Sequence, residues 1–233
     1  MKTGTLYGIG IGPGDPELLA LEAVRQIRGC AVIAVPGKSP RDSVAYRIAV
    51  QAVPEIENKK LVAVDMPMTK NRAALDAFFQ AGADMLEEYL RAGEDVAFLT
   101  LGDVTIYSTY LYLYPRIQER GYATAMINGI PSFCAAAARL NEGLAEGAEE
   151  IHIIPATYQT ERSLAFPGTK VLMKAGRQME KVKELLKGAD LTVSMVENCC
   201  MEGERVCRSL EEIGETPGYY SLIIAKEAAR DEE

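Results

Sequence analysis

Two stretches of the sequence combine glycine, acidic and hydroxyl residues in patterns typical of small-molecule sites. Residues 96–109 read VAFLTLGDVTIYST, so an apolar run leads into Gly102 and Asp103. The run is typical of a buried parallel strand, and either Ser108 or Thr109 can cap a following helix. A strand, a glycine turn, a carboxylate and a helix start place a ligand at the carboxyl edge of a sheet. An ordinary strand-to-helix turn is the alternative interpretation.

The second stretch, residues 8–19, reads GIGIGPGDPELL and superficially matches a dinucleotide-binding loop. Pro13 and Asp15 argue against that interpretation, because a pyrophosphate needs free backbone N–H groups and no nearby negative charge. The next predicted strand also ends in Pro36 and Gly37, where a dinucleotide fold needs an acid for the ribose hydroxyl. The pattern therefore disfavours NAD or FAD.

Strands and helices alternate through the first half of the chain, which predicts parallel pairing with right-handed crossovers. Asp15 and Pro16 predict the start of a helix that runs to Gly29. Predicted strands cover residues 5–9, 31–35, 61–64 and 96–99, and further predicted helices start at Ser43, near Leu75 and at Tyr110.

A domain boundary is predicted near residue 120. Residues 1–120 would form an N-terminal α/β domain with the glycine-rich loop, and residues 121–233 a C-terminal α/β domain. Strands lie closer together towards the C-terminus, which predicts a mixed sheet with antiparallel pairs. The expected fold is therefore α/β, with two lobes, a parallel N-terminal sheet, a mixed C-terminal sheet and a cleft between them.

Composition excludes several classes of function. The chain has 25 Lys and Arg against 33 Asp and Glu, and a net charge of −8 argues against a nucleic-acid partner. No apolar run approaches the roughly 20 residues that span a bilayer, so no membrane association and a cytoplasmic location are expected. The five cysteines show no zinc-site spacing, and the single histidine, His152, offers no ligand pair, so no protein-bound metal is expected.

The two glycine stretches resemble the tetrapyrrole methyltransferases of cobalamin biosynthesis, which use S-adenosylmethionine. Residues 128–133, 171–174 and 195–198 match further stretches of that family in the expected order, and the resemblance covers residues 6–226. Residues 35–39 and 102–109 look most like the branch that methylates carbon 20 of precorrin-2 or cobalt-factor II. The resemblance implies the same two-lobed fold, a homodimer and a steric role for the early glycines in a substrate trough.

The resemblance also implies which residues form the site. The S-adenosylmethionine pocket would be lined by Leu101, Gly102, Asp103, Ile106, Pro131, Ser132, Phe133, Met173, Lys174 and Tyr220. The carboxylated ring would be held by Gly12, Pro13, Lys38, Arg41 and Arg177. Asp103 is the candidate for orienting the ring or accepting its proton, and a carboxylate that only caps its own turn is the alternative. The transfer needs no metal, and any cobalt would belong to the substrate.

Three alternative functions stay open at this point. One is a tetrapyrrole methyltransferase of the same family with different regiochemistry. Another is a methyltransferase for a macromolecule, either ribosomal RNA or elongation factor 2 in diphthamide formation. The acidic charge disfavours RNA, and Lys38 and Arg41 favour a carboxylated ring over a protein. The third, a ligand-binding protein without catalysis, is disfavoured by the intact cofactor motifs.

Overall fold

The computed structural model describes residues 2–66, 71–156, 160–215 and 217–227, without the side chains of Thr160 and Arg177. The chain divides into two compact units, Met1–Pro131 and Ser132–Glu233. Within the described ranges, none of the helices has both the length and the apolar character needed to cross a bilayer.

The first unit is built on a five-stranded parallel sheet with the order β3-β2-β4-β1-β5. Its strands are β1 Thr5–Gly10, β2 Val32–Pro36, β3 Lys60–Val64, β4 Val96–Thr100 and β5 Ala123–Ile127. Its helices are α1 Leu21–Gly29, α2 Val44–Ala52, α3 Arg72–Arg91 and α4 Tyr110–Glu119. This confirms the parallel N-terminal sheet predicted from the alternation of strands and helices.

Helices cover both faces of this sheet. On one face, α1 and α2 pack on Ile9, Ile33 and Leu99. On the other face, α3 and α4 pack on Leu6 and Phe98. Since both faces are covered, the strands are apolar almost throughout, and every residue of β4 is buried.

The predicted helix from Asp15 to Gly29 is divided in two. Asp15 does act as a cap, since its carboxylate accepts a hydrogen bond of 2.9 Å from the amide of Glu17. The helix stops after the short turn Pro16–Leu18, because Leu19 and Ala20 take an extended backbone before α1 begins. The break lets the Leu19 side chain enter the core with Ile9 and Ile11.

The division between the units falls after Pro131, whereas the sequence placed a boundary at residue 120. The difference is β5, which pairs with β1 and so belongs to the first sheet. Tyr110 reinforces this pairing, because its hydroxyl lies 3.0 Å from the carbonyl oxygen of Leu6 and 2.9 Å from that of Ala125. The edge strand β5 is therefore held by its backbone hydrogen bonds to β1 and by the buried side chain of Tyr110.

The second unit contains a mixed sheet with the order β6-β7-β10-β8-β9, as the sequence predicted. Only β6 and β7 are parallel, and the other pairs are antiparallel. The strands are β6 Ile151–Pro155, β7 Thr169–Met173, β8 Leu191–Glu197, β9 Arg205–Cys207 and β10 Ser221–Glu227. The helices are α5 Ser132–Leu140, α6 Thr160–Leu164 and α7 Met179–Lys187. The core forms where α7 packs on Leu172, Met195 and Ile223.

Candidate active site

The connections that follow β1 and β4, two neighbouring interior strands of the first sheet, diverge at the carboxyl ends of these strands. β1 and β4 are neighbours, but the chain leaves β1 through α1 towards β2 and leaves β4 through α4 towards β5. Open α/β sheets bind ligands at such a point, where the connections diverge. The sequence motifs at Gly12 and Gly102 lie in these two loops and bridge each other, with N···O distances of 3.2 and 2.7 Å.

A third loop, which follows β5, joins the same edge. A Cβ atom on Gly129 would lie 2.3 Å from the carbonyl oxygen of Gly102, and one on Gly10 would lie 2.6 Å from the amide nitrogen of Gly129. The three loops therefore pack backbone against backbone, and a side chain at either position would force them apart. Gly102 itself has a φ of +73°, which an L-residue adopts only under strain.

Asp103 links the loop that follows β4 (the β4 loop) to the loop that follows β5 (the β5 loop). Its Oδ1 accepts hydrogen bonds from the amide of Thr105, at 2.8 Å, and from the Thr105 hydroxyl. Its Oδ2 accepts from the amide of Gly129, at 2.9 Å, and from the side chain of Asn128, at 3.2 Å. Only 6% of the Asp103 surface is exposed, so the carboxylate is largely an internal cross-link.

Two opposing effects set the ionisation of Asp103. Burial disfavours the charged carboxylate, but the hydrogen bonds from Thr105, Gly129 and Asn128 outweigh it and lower the pKa. The group is therefore ionised at neutral pH, with four donors already directed at its two oxygens. Such a carboxylate is a weak proton acceptor, but its hydrogen bonds cross-link the loops that follow β4 and β5.

The rest of the β4 loop presents apolar groups and a helix start. Leu101 and Ile106 are half-buried, whereas Thr105 is exposed. Ser108, rather than Thr109, caps α4, because its buried hydroxyl accepts a hydrogen bond of 3.1 Å from the amide of Tyr110. The loop thus offers two half-buried apolar side chains, Leu101 and Ile106, and its one carboxylate is turned inward.

The residues predicted to hold a carboxylated ring lie in the first unit at the same sheet edge, with one exception. Gly12 and Pro13 are buried in the loop after β1, and Lys38 and Arg41 are exposed in the loop after β2. Neither cation forms a salt bridge with a described residue, although the Arg41 guanidinium lies 6.0 Å from the ring of Tyr46. The side chain of the fifth predicted residue, Arg177, lies outside the described part of the chain.

The remaining predicted cofactor residues belong mostly to the second unit. Pro131 ends the first unit, while Ser132 and Phe133 begin α5. Met173, Lys174 and Tyr220 share one edge of the second sheet, because β7 ends where the antiparallel β10 begins. Lys174 has a φ of +60°, and burial lowers the pKa of its amine. That both sets of residues converge on one ligand stays a prediction.

Three groups of functional interest were not predicted from the sequence. Asn128 and Gly129, which donate hydrogen bonds to Asp103, lie in the stretch 128–133 that resembles the family. Nothing in that stretch indicated these hydrogen bonds. Glu197 accepts a hydrogen bond from the amide of Gly218, which closes the edge of the second sheet. A cluster of Cys199, Cys200 and Glu204 also forms there, and the spacing of its members gave no recognisable metal signature.

Known proteins resemble this chain over nearly its whole length. The family model described as Tetrapyrrole (Corrin/Porphyrin) Methylases matches residues 5–214. A probable cobalt-precorrin-2 C(20)-methyltransferase of Methanocaldococcus jannaschii is 33% identical over 229 residues, which cover 97% of each chain. A precorrin-2 C(20)-methyltransferase of a Sinorhizobium species is 28% identical, covering 95% of this chain and 94% of its own.

The fold is shared with solved structures as well. The uroporphyrin-III C-methyl transferase from Thermus thermophilus, complexed with S-adenyl homocysteine, superposes with a TM-score of 0.70 at 21% identity. The match covers 96% of this chain and 98% of that one. At this level of identity the similarity establishes a common architecture for the two proteins.

Proposed function

The chain belongs to the tetrapyrrole (corrin/porphyrin) methylases, and from that membership we propose that it transfers a methyl group from S-adenosylmethionine to C20 of precorrin-2 or cobalt-factor II in cobalamin biosynthesis. The observation that carries the proposal is the match, along 97% of both chains, to a relative named for C20 methylation. The branch-like stretches at residues 35–39 and 102–109 support the same position on the ring.

The chemistry of the β4 loop fits S-adenosylmethionine. That molecule combines an adenosine, a sulfonium, an ammonium and a carboxylate, so it is best held by apolar surface and backbone groups. Leu101 and Ile106 supply half-buried apolar surface. Gly102 has no Cβ that would separate its backbone from a ligand. Pro131, Ser132, Phe133, Met173, Lys174 and Tyr220 are the residues that would complete the pocket. When bound, S-adenosylmethionine supplies a methyl group already activated by the positively charged sulfur.

The protein's main contribution is then alignment, which can supply several kcal/mol of the barrier reduction. We assign Asp103 to positioning: it fixes the loop that begins at Gly102 against the loop at Gly129. The alternative role, accepting the proton released from C20, is less well supported because donors already occupy both oxygens of the carboxylate. Asp103→Asn separates the two roles: a lower turnover at unchanged stability would indicate the proton acceptor, whereas a lower stability would indicate the positioning role.

Lys38 and Arg41 are proposed to bind carboxylates of the ring. The protein carries a net charge of −8, so an anionic ring needs local cations to approach it. Both side chains are exposed and stand at the sheet edge that carries Gly12 and Gly102. Gly12 and Pro13 would form the floor of the substrate trough, and Arg177 would add a third cation.

The proposal is tested by locating the transferred methyl group. The purified protein is incubated with S-adenosylmethionine labelled with carbon-13 in the methyl group, and with either precorrin-2 or cobalt-factor II. We expect label at C20 of the product, identified by NMR. Label at another ring carbon would overturn the regiochemistry while leaving a tetrapyrrole methyltransferase. No transfer to either ring, together with no S-adenosylmethionine binding by calorimetry, would overturn the whole proposal.

The same assay decides whether the ring carries cobalt when it binds. Relatives named for the cobalt-containing and for the metal-free substrate both match this chain along nearly all of its length. Comparing kcat/KM for the two rings under identical conditions identifies the preferred form. No metal bound by the protein is needed for the transfer, so a chelator should leave the initial rate unchanged.

A further inference from the structure

Cys199, Cys200 and Glu204 form a compact group of metal-ligating atoms in the second unit. One ligand atom from each residue lies within 4.8 Å of the other two. The group follows β8 directly, at the sheet edge that also carries Met173 and Tyr220, since Ser221 at the start of β10 pairs with Glu197 at the end of β8. The methyl transfer proposed above makes no use of these residues.

The backbone turns so that two adjacent cysteines present their sulfurs on the same side. Asn198, Cys200 and Gly203 have φ values of +51°, +61° and +77°. Two of these residues are not glycine, and a non-glycine residue takes this conformation only at a cost in conformational energy. In an extended chain, neighbouring side chains would point to opposite sides.

The distance between the two sulfurs matches the edge of a tetrahedral metal site. Sγ of Cys199 and Sγ of Cys200 lie 3.6 Å apart. Two sulfurs at about 2.3 Å from one zinc ion, with tetrahedral angles, are about 3.8 Å apart, whereas a disulfide needs about 2.05 Å. Little sulfur movement would therefore be needed to bind a cation.

Glu204 lies beside the thiols, and only one of its two carboxylate oxygens accepts hydrogen bonds from described residues. Its Oε2 accepts hydrogen bonds from the amide of Cys200 and from Nε of Arg139, the latter at 3.1 Å. Within the described residues, Oε1 accepts none. Two thiolates and one carboxylate carry three negative charges, which a divalent cation and Arg139 would together neutralise.

We propose that Cys199, Cys200 and Glu204 bind one thiophilic divalent cation of the size of Zn²⁺ or Co²⁺, with a water molecule in the fourth position. On binding, each thiol gives its proton to solvent and its sulfur forms a bond to the cation, so one cation releases two protons and no electron is transferred. Three protein ligands and one open position are typical of sites that exchange a ligand, whereas structural zinc sites use four.

The test uses Co²⁺ as a spectroscopic probe of thiolate ligation. The full-length protein is freed of metal with a chelator, kept reduced with a phosphine and titrated with Co²⁺. We expect one equivalent to bind, with a sulfur-to-cobalt charge-transfer absorption that Zn²⁺ abolishes. Binding should also raise the melting temperature. No charge-transfer absorption in the fully reduced wild-type protein would overturn the proposal.

Variants assign the absorption to this cluster. Cys200→Ser, at a half-exposed side chain, should lose the absorption and the rise in melting temperature while the metal-free protein keeps its circular dichroism spectrum. Glu204→Gln should weaken Co²⁺ binding at least about tenfold with the absorption retained. Cys134→Ser, at an exposed cysteine on α5, is the matched control and should behave as wild type. An unchanged absorption in Cys200→Ser, or its loss in Cys134→Ser, would overturn the assignment.

Discussion

At the scale of single residues, Asp103 shows what the sequence could and could not predict. A carboxylate after a glycine at the end of a buried strand indicated a functional turn, and two roles were open. The structure favours the structural one because Asn128 and Gly129, 25 and 26 residues away, donate to the carboxylate. Neither residue carries a sequence signal for that contact, since it depends on β5 lying beside β1.

Asp103→Asn should destabilise the protein by about 1 to 3 kcal/mol, because an amide nitrogen would face donors that now find an acceptor. The measurement is urea denaturation at neutral pH. Asp65→Asn, at an exposed residue just after β3, is the control and should change the free energy of unfolding by less than about 0.5 kcal/mol. Equal effects of both substitutions would contradict the cross-link.

The pH dependence of stability provides a second measurement on the same residue. The pKa of Asp103 is lower in the folded protein than its ordinary value of 3.8, so its contribution is fully present above that value. It is lost as the pH falls from about 3.8 through the folded-state pKa. Asp103→Asn should therefore show a shallower loss of stability with acid over that range than the wild-type protein. Parallel curves would show that the carboxylate is not stabilised by folding.

Lys38→Ala and Arg41→Ala should each raise the KM for the tetrapyrrole about ten- to a hundredfold. Each loses one charge-assisted contact, which contributes roughly 1.5 to 3 kcal/mol. The affinity for S-adenosylmethionine, measured by calorimetry, should stay nearly unchanged. Lys60→Ala is the control, since Lys60 begins β3 and lies at the opposite edge of the same sheet. A KM that changes equally in all three variants would contradict the assignment.

At the scale of secondary structure, apolar runs predicted the strands well, and the failures share one cause. The prediction for residues 96–99 became β4, and that for residues 61–64 became β3. The predicted helix from Asp15 is interrupted because Leu19 packs into the core. The predicted boundary placed β5 in the second domain, because its partner strand β1 lies more than 100 residues earlier in the chain. Tertiary contacts decided both outcomes, and local sequence does not contain them.

Gly10→Ala tests the backbone packing of the three loops. The added Cβ would lie 2.6 Å from the amide nitrogen of Gly129, and overpacking of this kind costs about 1 to 3 kcal/mol. Gly29→Ala is the matched control: its Cβ would meet nothing within 4 Å, and it should leave stability unchanged or raise it by about 0.4 to 1 kcal/mol. Chemical denaturation compares them, and equal stability of the two variants would contradict the close approach.

At the scale of the whole molecule, the sequence predicted one parallel and one mixed sheet, and the structure confirms both. The order of the strands could not be predicted, because many orders satisfy the same alternation of strands and helices. The composition predicted no membrane span, and none of the described helices is suited to one. The cytoplasmic location and all the residues assigned to the cofactor pocket stay predictions.

A homodimer is expected from membership of the family and from the prevalence of two-fold symmetric pairs among soluble oligomers. Light scattering coupled to size-exclusion chromatography should give about twice the chain mass of 25.4 kDa at micromolar concentration. A single-chain mass across the whole concentration range would count decisively against it. Neither the regiochemistry nor the metal site depends on this outcome.

The strand order also has a consequence for how the protein is made. β1 is the first strand of its sheet to leave the ribosome, yet its neighbours β4 and β5 are the last two strands of that sheet to be synthesised, and Leu6 pairs with Val96. At about 5 to 20 residues per second, β1 waits roughly 5 to 20 seconds for its first neighbour. During that interval an apolar strand has two open edges, which favours aggregation. The nascent chain of this protein is therefore expected to need a chaperone until residue 127 has emerged.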